Sequence, residues 1–573
     1  MTALSVASPY AAYRRADGAV PDQALAWNLY GAGLDRVGRE GAPEPVDVHQ
    51  PGPGQLLVRV DAVGLCYSDV KLLKLGGDHP KLYGRDLEQE PTRLGHEVSV
   101  TVIAVGAQLQ DRFRPGERYA IQPDIYVDGR STAYGYTIPG ALIEYHLIGP
   151  EVLAADDGTY MVKVDERLGY AETALTEPWA CVEAAYTQRR RVSPLAGGRM
   201  LIVATADDER EYRFGDVLAG AREILVSGGN ERIEATVRAA NPTGNVAATQ
   251  DWPAAGPFDD IILLGITSAA DVARAADALA FRGVMNLVSD EPLDGDVEID
   301  IGRIHYHYTA YVGTTGLDVA AAYGEARNRT ELRPVGVTVV VGAAGPMGQM
   351  HVERALGLPD GPRLVVAVDL DVDRLAAAEA RLGPVARSRG RELVFEKVGP
   401  EADALRSTVE RLTGGRGADD IIVTAPSAAA VVAATAAMAP DGMLVLFAGV
   451  PVGTRASIDL SPVFLHGAQF TGTSGSRIAD QALVVEKSLA GQLEPRRALA
   501  AVGGMEAAQD ALQALVDGRF PGKIVIFPAL RGLPLTGLPE LAASDPAIAS
   551  ALDANGGWTI EAEAALFARY LAG

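Results

Sequence analysis

The sequence contains very little cysteine and an excess of acidic over basic residues. Only Cys66 and Cys181 occur in 573 residues, which excludes a disulfide framework and makes a reducing compartment, the cytoplasm, the expected location. The 51 basic residues against 74 acidic ones give a formal charge of -23, and such a surface repels phosphate backbones and anionic headgroups. Neither a nucleic acid nor a membrane is therefore expected as a partner.

Long uninterrupted apolar runs are also missing. The most apolar stretch, 421–450, contains two prolines, Asp441 and Gly442, whereas a membrane span needs about 20 uninterrupted apolar residues. The first thirty residues have no continuous apolar core, so no export signal is expected. The content of 48% apolar and 22% charged residues is typical of globular proteins, and the length predicts about three or four folding units.

Two kinds of periodicity divide the chain. Apolar and polar residues alternate over 55–63, and β-branched residues dominate 98–105, which predicts strands in the N-terminal third. After Glu172, alanine-rich segments at helical spacing alternate with short apolar runs such as 201–204 and 337–341. This second pattern predicts α/β units with a parallel sheet.

The α/β region contains an internal repeat. FDDIILLG at 258–265 resembles ADDIIVTA at 418–425, and IDIGRIHYHYTAYVGTTG at 299–316 resembles IDLSPVFLHGAQFTGTSG at 458–475. The matched aspartates and the matched final glycines of the second pair are each 159 residues apart. Chance similarity between alanine-rich segments is the alternative, but the constant offset favours a duplication.

The two copies open differently. The later copy begins with VTVVVGAAGPMG at 337–348, whereas the earlier one begins with MLIVATADDERE at 200–211, which has no glycine and several acids. A strand, a glycine turn and a helix N-terminus can hold a diphosphate on free backbone N–H groups. We therefore predict a dinucleotide site in the later copy, on Gly342, Gly345, Pro346, Met347 and Gly348. A turn used only for packing is the alternative.

Asp369 strengthens this prediction. It ends the apolar run RLVVAVDLD about twenty residues downstream, where an acid accepts hydrogen bonds from the adenosine ribose. Its charge would repel a 2′-phosphate, so NAD(H) is preferred over NADP(H), although Arg374 nearby acts in the opposite direction. Ala343 stands where the first glycine of the full pattern is expected, and Gly342 before it can compensate.

Three short segments carry candidate metal ligands. They are GLCYSD at 64–69, LGHEV at 94–98 and LTEPWACVEAAY at 175–186. Cys66, His96 and Glu177 supply a thiolate, an imidazole and a carboxylate, which are zinc ligands, and three ligands leave the fourth position that a catalytic zinc needs. Taken singly, Cys66 is also typical of a buried small side chain and His96 of a paired polar one.

Taken together, these segments resemble a known family. GLCYSDVK, GHEVSVTVIAVG, FRPGERYAI, EPWACVEAAY, GAAGPMG and VDLDVDRL occur in the order found in medium-chain zinc-dependent dehydrogenases. The chain resembles that family over about 25–195 and 335–530, especially the polyol branch with sorbitol dehydrogenase and L-sorbose-1-phosphate reductase. The earlier α/β copy and the C-terminal tail lie outside the resemblance.

The resemblance and the internal repeat together imply an α/β fold in which a β-rich GroES-like catalytic domain precedes two tandem Rossmann-like doubly wound domains. The implied boundaries are 1–195 for the GroES-like part, 196–335 for the degenerate copy, 336–480 for the NAD-binding domain, and 481–573 for a return to the catalytic domain with a C-terminal extension. The role of the tail beyond residue 530 is not readable from the sequence.

The family also implies residue roles. Cys66, His96 and Glu177 match its zinc ligands, and Glu97 matches an alternating or water-mediated ligand. Ser68 resembles the hydroxyl that relays the substrate proton, and Thr473 and Ser474 fall in the cofactor-binding part. The four-cysteine lobe of many relatives is missing, so one catalytic zinc and no structural zinc is expected, and Cys181 is expected to pack on a buried helix face.

The expected activity is zinc-dependent hydride transfer between NAD(H) and a secondary alcohol or ketone of a polyol or sugar. A basic insertion at 71–94 would suit a sugar phosphate, or it is a solvated loop whose charges are balanced by nearby acids; its basic residues are Lys71, Lys74, His79, Lys81, Arg85 and Arg93. Two alternatives stay open, a non-catalytic NAD- or metabolite-binding scaffold or sensor, and an NAD-using epimerase or lyase. For the degenerate copy we expect an internal pseudo-dimer, in which 196–335 covers the edge strand that would otherwise recruit a second subunit.

Overall fold

The structure is a computed structural model that describes residues 9–187, 190–242, 244–252, 256–401 and 403–571. The chain divides into two compact units, one formed by 1–184 with 475–573 and the other by 185–474. In the part of the chain that the structure describes, no helix is long and apolar enough to cross a membrane.

The N-terminal third consists mainly of strands, as its alternating pattern predicted. The strands are β1 (Gln23–Ala26), β2 (Asn28–Leu29), β3 (Glu44–Asp47), β4 (Leu56–Leu65), β5 (Thr92–Arg93), β6 (Glu97–Val105), β7 (Arg118–Ile121), β8 (Tyr126–Val127), β9 (Arg130–Ser131), β10 (Tyr145–Ile148) and β11 (Met161–Val164). The helices are α1 (Pro9–Arg15), α2 (Tyr67–Leu75), α3 (Pro150–Leu153), α4 (Tyr170–Ala174) and α5 (Thr176–Ala184).

Strands and helices alternate in the second unit. The strands of its earlier half are β12 (Arg199–Val203), β13 (Glu223–Ser227), β14 (Asn245–Thr249), β15 (Phe258–Leu264), β16 (Leu279–Val288), β17 (Val297–Asp300) and β18 (Ala310–Thr314), with α6 (Glu231–Ala240), α7 (Ala269–Asp277) and α8 (Ile301–Tyr306). Those of its later half are β19 (Val337–Val341), β20 (Leu364–Asp369), β21 (Glu392–Lys397), β22 (Ala418–Val423), β23 (Met438–Leu446), β24 (Arg455–Ile458) and β25 (Gln469–Gly472), with α9 (Pro346–Gly357), α10 (Val372–Ser388), α11 (Ala404–Thr413), α12 (Ala428–Ala437) and α13 (Ser461–Leu465).

After residue 474 the chain returns to the first unit. This part contains β26 (Leu499–Gly504), β27 (Lys523–Phe527) and β28 (Thr536–Gly537), with α14 (Ile478–Leu489), α15 (Ala508–Val516), α16 (Leu538–Ser544), α17 (Pro546–Ala551) and α18 (Ile560–Tyr570). The tail is anchored, because Glu563 of α18 accepts hydrogen bonds from the Tyr10 hydroxyl and from the backbone N–H groups of Tyr170 and Ala171.

The first unit is built around an eight-stranded sheet. Its order is β11-β7-β6-β4-β27-β26-β28, and β10 also pairs with β4. The central strands β4 and β6 run antiparallel, and β27 from the C-terminal part adds to the other side of β4. Residues far apart in the sequence are thereby brought to one end of β4.

The second unit contains two six-stranded parallel sheets with the same order. The first sheet has the order β14-β13-β12-β15-β16-β18, and the second sheet has β21-β20-β19-β22-β23-β25. When only the six strands of each sheet are numbered in chain order, each reads 3-2-1-4-5-6, the order of the doubly wound dinucleotide-binding fold. The predicted α/β class with two tandem Rossmann-like folds is confirmed, while the exact domain boundaries stay a prediction.

The two sheets share one hydrophobic core and one local irregularity. Apolar side chains from both, such as Leu201 and Ile261 of the first and Val339 and Ile421 of the second, belong to a continuous buried cluster. The pairing of β15 with β16 and that of β22 with β23 both shift register after their first residue pair. These shared details agree with the duplication that the sequence repeat predicted.

The two copies meet through β17 and β24, which pair antiparallel. Glu298 lies opposite Ser457, its counterpart 159 residues later. Val297 pairs with Ile458. The counterpart of Val297 in the other copy is Ala456, the counterpart of Ile458 is Ile299, and these two residues also pair with each other. The contact is therefore isologous, as in a twofold dimer, although both halves belong to one chain.

Candidate functional site

Three candidate metal ligands meet where β4 ends and β6 begins. Cys66 follows β4 at the start of α2, whereas His96 and Glu97 stand at the start of β6. Because Gly64 of β4 pairs with Glu97 of the antiparallel β6, these two strand ends are neighbours. One ligand atom each from Cys66, His96 and Glu97 lies within 4.8 Å of the others.

Gly64 allows the Glu97 carboxylate to reach this position. A β-carbon on residue 64 would lie 2.2 Å from Oε2 of Glu97 and 3.0 Å from its β-carbon. Any larger side chain would push the carboxylate away from Cys66. The glycine of the GLCYSD segment is thus part of how the site is shaped.

Asp69 supports the cluster from the first turn of α2. Its carboxylate is buried and accepts hydrogen bonds from the backbone N–H groups of Cys66, at 2.9 Å, and Gly95, at 3.1 Å. One of its oxygens also lies 3.5 Å from Nδ1 of His96. A carboxylate beside a ligating imidazole fixes the orientation of the ring. The sequence contained this signal, an acid three residues after Cys66, but it was not identified as a site residue.

Lys523 is the second residue that the sequence analysis missed. It stands at the start of β27, is buried, and its Nζ lies 2.5 Å from Oε1 of Glu97. The pair is separated by 426 residues, so no local motif indicates it. Because β27 lies next to β4 in the sheet, the ammonium group reaches the metal-ligand cluster.

The buried ionisable groups of this cluster shift one another's pKa values. Burial raises the pKa of the Cys66 thiol, but Lys523 and His96 outweigh this effect and lower it to about 6. Burial raises the pKa of Glu97 to about 8 despite its contact with Lys523. Desolvation would lower the pKa of Lys523, yet Glu97 and Cys66 raise it above its ordinary value. A thiolate near neutral pH is the form of cysteine that binds metals.

Glu177 lies near this cluster but is not one of the three groups that meet within 4.8 Å. It is buried on α5, and burial raises its pKa to about 7 while His96 opposes the rise and Glu97 adds to it. Cys181, one turn later on α5, has its Sγ 3.7 Å from Oε1 of Glu177. The ligand role predicted for Glu177 therefore stays a prediction.

Ser68 lies on the first turn of α2, beside the cluster. Its hydroxyl oxygen is 3.7 Å from Sγ of Cys66, and its side chain is only partly buried. A half-exposed hydroxyl at this place can exchange a proton with a bound molecule.

The donor set fits a zinc ion. Thiolate sulfur, imidazole nitrogen and carboxylate oxygen are the atoms that zinc binds in proteins. In addition, Nδ1 of His96 and Oε2 of Glu97 are buried without a hydrogen-bond partner of good geometry among the described residues. Nδ1 of His96 faces the Asp69 carboxylate at 3.5 Å. Buried polar atoms are nearly always paired, so the unsatisfied Oε2 of Glu97 beside a thiol indicates a cation site.

The predicted cofactor turn lies between β19 and α9 of the second sheet. Gly342 has a φ of +82°, the left-handed conformation that glycine adopts at little cost. A β-carbon on Gly348 would lie 2.3 Å from the carbonyl oxygen of Gly342, whereas the surroundings of Gly345 are open. Pro346 and Met347 form the first turn of α9. The turn thus packs tightly around Gly348 and is open around Gly345, at the N-terminus of α9.

Asp369 ends β20 beside this turn. Its carboxylate accepts hydrogen bonds from the backbone N–H groups of Ala344, at 3.0 Å, and Leu370, at 2.8 Å. Arg374 is exposed, and its guanidinium lies 3.9 Å from where a β-carbon of Gly345 would be. The arrangement therefore has an acid at the ribose position and a cation close to the diphosphate position.

Thr473 and Ser474 follow β25, at the carboxyl end of the second sheet. The Thr473 side chain is buried, and its hydroxyl has no hydrogen-bond partner among the described residues. Ligands of doubly wound folds bind at the carboxyl ends of the strands. The position of this hydroxyl agrees with the predicted cofactor role, which stays a prediction.

The equivalent turn of the first sheet is filled by its own side chains. Arg210 donates two hydrogen bonds to the buried Asp208 carboxylate, at 2.8 and 3.0 Å. Its guanidinium also covers Gly265, where a β-carbon would lie 1.5 Å from Nη2. Asp208 and Arg210 thus occupy the place of the glycine turn.

Several residues of the basic insertion already have protein partners. Lys81 pairs with Asp124 at 2.9 Å, Arg85 donates to the carbonyl of Thr137 at 2.9 Å, and Arg93 donates to the carbonyl of Gly140 at 3.2 Å. Lys71 and Lys74 of α2 are exposed. The insertion is therefore partly structural, and the two exposed lysines are its freest cations.

Comparison with protein families identifies one domain. Residues 52–156 match the alcohol dehydrogenase GroES-like domain. This range includes Cys66, Ser68, His96 and Glu97 and ends before Glu177.

Curated relatives extend over most of the chain. It is 24% identical over 521 residues to L-sorbose 1-phosphate reductase of Klebsiella pneumoniae, covering 90% of this chain and 91% of that protein. It is 24% identical over 539 residues to mannitol-1-phosphate 5-dehydrogenase of Aliivibrio fischeri, covering 90% and 92%. Sorbitol dehydrogenase of Gallus gallus is 30% identical over 204 residues, which are 32% of this chain and 52% of that one.

A solved structure shares the fold. 2R,3R-butanediol dehydrogenase of Bacillus subtilis superposes with a TM-score of 0.51 at 16% identity, covering 88% of this chain and 99% of that one. The predicted resemblance to medium-chain dehydrogenases is thereby confirmed at the level of sequence and fold.

Proposed function

This chain is a relative of the zinc-type alcohol and polyol dehydrogenases, and on that premise we propose that it is a zinc-dependent oxidoreductase. It transfers a hydride between NAD(H) and a secondary alcohol or ketone of a polyol or sugar. The observation that supports this proposal most strongly is the approach of Cys66, His96 and Glu97 within 4.8 Å, with Oε2 of Glu97 buried and unpaired among the described residues.

Cys66, His96 and Glu177 are the zinc ligands in this proposal, and Glu97 is an alternating or water-mediated one. Zinc at such a site is a Lewis acid that lowers the pKa of an alcohol or polarises a carbonyl. Asp69 holds the His96 ring in a ligating orientation, and Lys523 offsets part of the negative charge of Glu97 and Cys66. We propose one zinc ion per chain.

Ser68 moves the substrate proton. Its hydroxyl lies on α2 next to Cys66 and can both accept and donate a hydrogen bond. It would relay the proton, accepting one from the alcohol while its own hydroxyl proton passes towards the nicotinamide ribose, and the transfer would run in reverse when a ketone is reduced. Glu97, as an alternating or water-mediated ligand, is the other catalytic group of this cluster.

The cofactor is NAD(H), bound on the glycine turn of the second sheet, and it carries the hydride. Gly342, Gly345 and Gly348 shape the turn, and Pro346 and Met347 begin the helix whose N-terminus favours a diphosphate. Asp369 accepts hydrogen bonds from the adenosine ribose and disfavours a 2′-phosphate, whereas Arg374 reduces that discrimination. Thr473 and Ser474, which follow β25, contact the other half of the cofactor in this proposal.

The substrate class is a polyol or ketose, and we propose that it is phosphorylated. The names of two relatives refer to sugar 1-phosphates. The exposed Lys71 and Lys74 lie on α2, the helix that begins immediately after Cys66. Two ammonium groups on the helix of the metal cluster suit a substrate phosphate in a protein of otherwise acidic charge.

Metal analysis and an activity screen test the function. The purified protein should contain one zinc per chain, and a panel of polyols, ketoses and their phosphates should include one that changes nicotinamide absorbance, with the change abolished by a chelator. Cys66→Ser should lose most of the zinc, whereas the matched control Cys181→Ser should retain it. Equal zinc content in both variants, or turnover that resists the chelator, would contradict the proposal and favour a scaffold or a non-redox enzyme.

The duplicated sheet gives the chain an internal pseudo-dimer, which we also propose. The isologous pairing of β17 with β24 and the contact between the two sheets occupy the edge through which a second subunit would otherwise pair. Light scattering should therefore give the mass of one chain. A stable dimer joined through the edge of the second sheet would rule this arrangement out.

A further inference from the structure

The two copies are in close backbone contact at two equivalent places. A β-carbon on Gly472, at the end of β25, would lie 2.9 Å from Cα of His305. A β-carbon on Gly313, 159 residues earlier, would lie 3.0 Å from Cα of Phe464, the counterpart of His305. The same contact is therefore made twice, once onto each sheet.

The side chains at these two contacts differ in chemistry. His305, Tyr306 and Tyr308 of the first copy stand where the second copy has Phe464, Leu465 and Gly467. The first-copy residues carry ring nitrogens and hydroxyls, whereas their counterparts are apolar or lack a side chain. At these two glycine contacts, rings with polar atoms face the sheet that carries the glycine turn, whereas on the reciprocal side Ser461 accepts a hydrogen bond from the backbone N–H of Leu293. We call His305, Tyr306 and Tyr308 the aromatic wall.

The aromatic wall touches the carboxyl ends of β23 and β25. Nδ1 of His305 lies 3.0 Å from the carbonyl oxygen of Leu446, the last residue of β23, and must donate because a carbonyl only accepts. The Tyr308 hydroxyl donates to the carbonyl of Ser474 at 2.9 Å. Both hydrogen bonds fix backbone at the end of the sheet where ligands bind.

Between these two points, the wall covers Gly449. A β-carbon there would lie 2.4 Å from the Tyr306 hydroxyl oxygen and 2.8 Å from Nε2 of His305. The two rings also contact each other edge to face, with centroids 4.5 Å apart. The loop after β23 is therefore held by direct contact with the first copy.

Tyr308 adopts a strained backbone to reach its partner. Its φ is +53°, and the counterpart Gly467 has a φ of +82°. The duplicated position requires the left-handed conformation, which glycine supplies in the second copy at little cost and a tyrosine supplies only with strain. Strain of this kind persists where surrounding contacts enforce it, commonly at functional sites.

The strands that the wall supports belong to the half of the second sheet opposite Asp369. A doubly wound fold consists of two mononucleotide-binding halves; β19 and β20 carry the glycine turn and Asp369, which leaves β22, β23 and β25 for the second nucleotide. The buried, unpaired hydroxyl of Thr473, next to Ser474, indicates a ligand on this side.

We propose that His305, Tyr306 and Tyr308, from the copy that has lost its own glycine turn, position the segments 447–450 and 472–474 for the nicotinamide half of the cofactor. They are positioning residues, since they act through the backbone of the second sheet. This inference rests on the proposed NAD(H) function and assigns the degenerate copy a part in it.

The test compares two ligands of the full-length protein, NADH and ADP-ribose, which lacks the nicotinamide. His305→Phe and Tyr306→Leu replace each residue by its counterpart in the other copy. His305→Phe should weaken NADH binding about tenfold, the scale of one lost hydrogen bond. Tyr306→Leu removes the ring that packs against Gly449 and should weaken NADH binding severalfold. Both should change ADP-ribose binding less than twofold. The same variants should raise KM for NADH more than they lower kcat.

Matched variants separate positioning from general damage. His307→Phe makes the same substitution two residues away, where the ring contacts Phe281 of the first copy, and should change neither affinity. Tyr306→Phe and Tyr308→Phe remove single oxygen atoms and serve if the larger exchanges unfold the protein, as judged by thermal denaturation. For these folded variants the expected loss is again confined to NADH.

The outcomes distinguish this inference from the proposed function. If the unmodified protein binds both ligands and the variants change neither affinity, or weaken both equally, only the role of the aromatic wall is overturned. If the unmodified protein binds neither NADH nor ADP-ribose, the proposed function fails and the inference fails with it.

Discussion

The two sheets of the second unit have the same strand order but opposite chemistry at their first turn. After β19, Gly342 takes a left-handed conformation, and the space around Gly345 at the start of α9 is open. After β12, Asp208 and Arg210 fill the equivalent space with a bidentate ion pair. The difference teaches that the strand order preserves the scaffold, whereas a few residues at one turn decide whether a diphosphate can approach.

The largest expected effect comes from adding a side chain to the glycine turn of the second sheet. Gly348→Ala places a β-carbon 2.3 Å from the carbonyl oxygen of Gly342, so α9 must shift away from the turn. Because this shift displaces the helix N-terminus that would hold the diphosphate, we expect NADH binding to weaken about 100-fold, or about 3 kcal/mol. Isothermal titration measures it. Glu211→Ala, an exposed position just after the corresponding turn of the first copy, should leave binding unchanged; equal effects would contradict the distinction between the turns.

A smaller effect is expected from opening the filled turn. Arg210→Ala removes two hydrogen bonds from the buried Asp208 carboxylate, which keeps those from the Tyr212 hydroxyl and the backbone of residue 210. Unfolding free energy should fall by about 2 kcal/mol, as measured in urea, with NADH stoichiometry still one per chain. Arg232→Ala, an exposed control, should cost less than about 0.5 kcal/mol. A second bound NADH would show that the first sheet is only blocked and not degenerate.

A change of cofactor preference should follow from Asp369→Asn. The amide oxygen can still accept from the backbone of Ala344, but the negative charge facing a 2′-phosphate is gone and Arg374 stands nearby. The ratio of kcat/KM for NADP+ over NAD+ should rise about tenfold, equivalent to about 1.4 kcal/mol. Asp373→Asn changes the same charge on exposed α10 and should leave the ratio unaltered. An equal rise in both would indicate a general charge effect.

The smallest expected effect is a change in stability at the strand pair β17–β24, where the two copies meet. Glu298 pairs with Arg455 at 3.1 Å but is 62% exposed, and Arg455 also contacts Asp277 at 2.6 Å. Glu298→Ala should therefore lower stability by less than about 0.5 kcal/mol and leave the mass in solution unchanged. Calorimetry and light scattering check this. A loss several times larger would mean that the strand pairing depends on charge more than on its backbone hydrogen bonds.

The sequence predicted the parts of the fold and site that depend on local patterns. The alternation over 55–63 and the apolar run 337–341 became strands β4 and β19. Cys66 and His96 were identifiable because each stands in a short motif at a strand end. Gly342 was expected to compensate for Ala343, and it is the residue with positive φ.

Features that depend on long-range packing could not be predicted. Lysine is usually found on the protein surface, so nothing local marks Lys523 as buried. Only the pairing of β27 with β4 brings it to Glu97. Similarly, the register of β17 with β24 depends on how two sheets pack together. The repeat indicated two related surfaces, but it did not indicate that His305 of one would lie on Gly472 of the other.

The isologous register at Glu298 and Ser457 has a consequence for how such a surface can change. In a homodimer, the residue on a twofold axis faces its own copy, so a glutamate there would oppose a glutamate, and like charges directly across a strand pair are destabilising. Fusion of the two halves into one polypeptide removes that constraint, because each gene position is present once. Glutamate can face serine here, and either side can be altered without an obligatory change on the other.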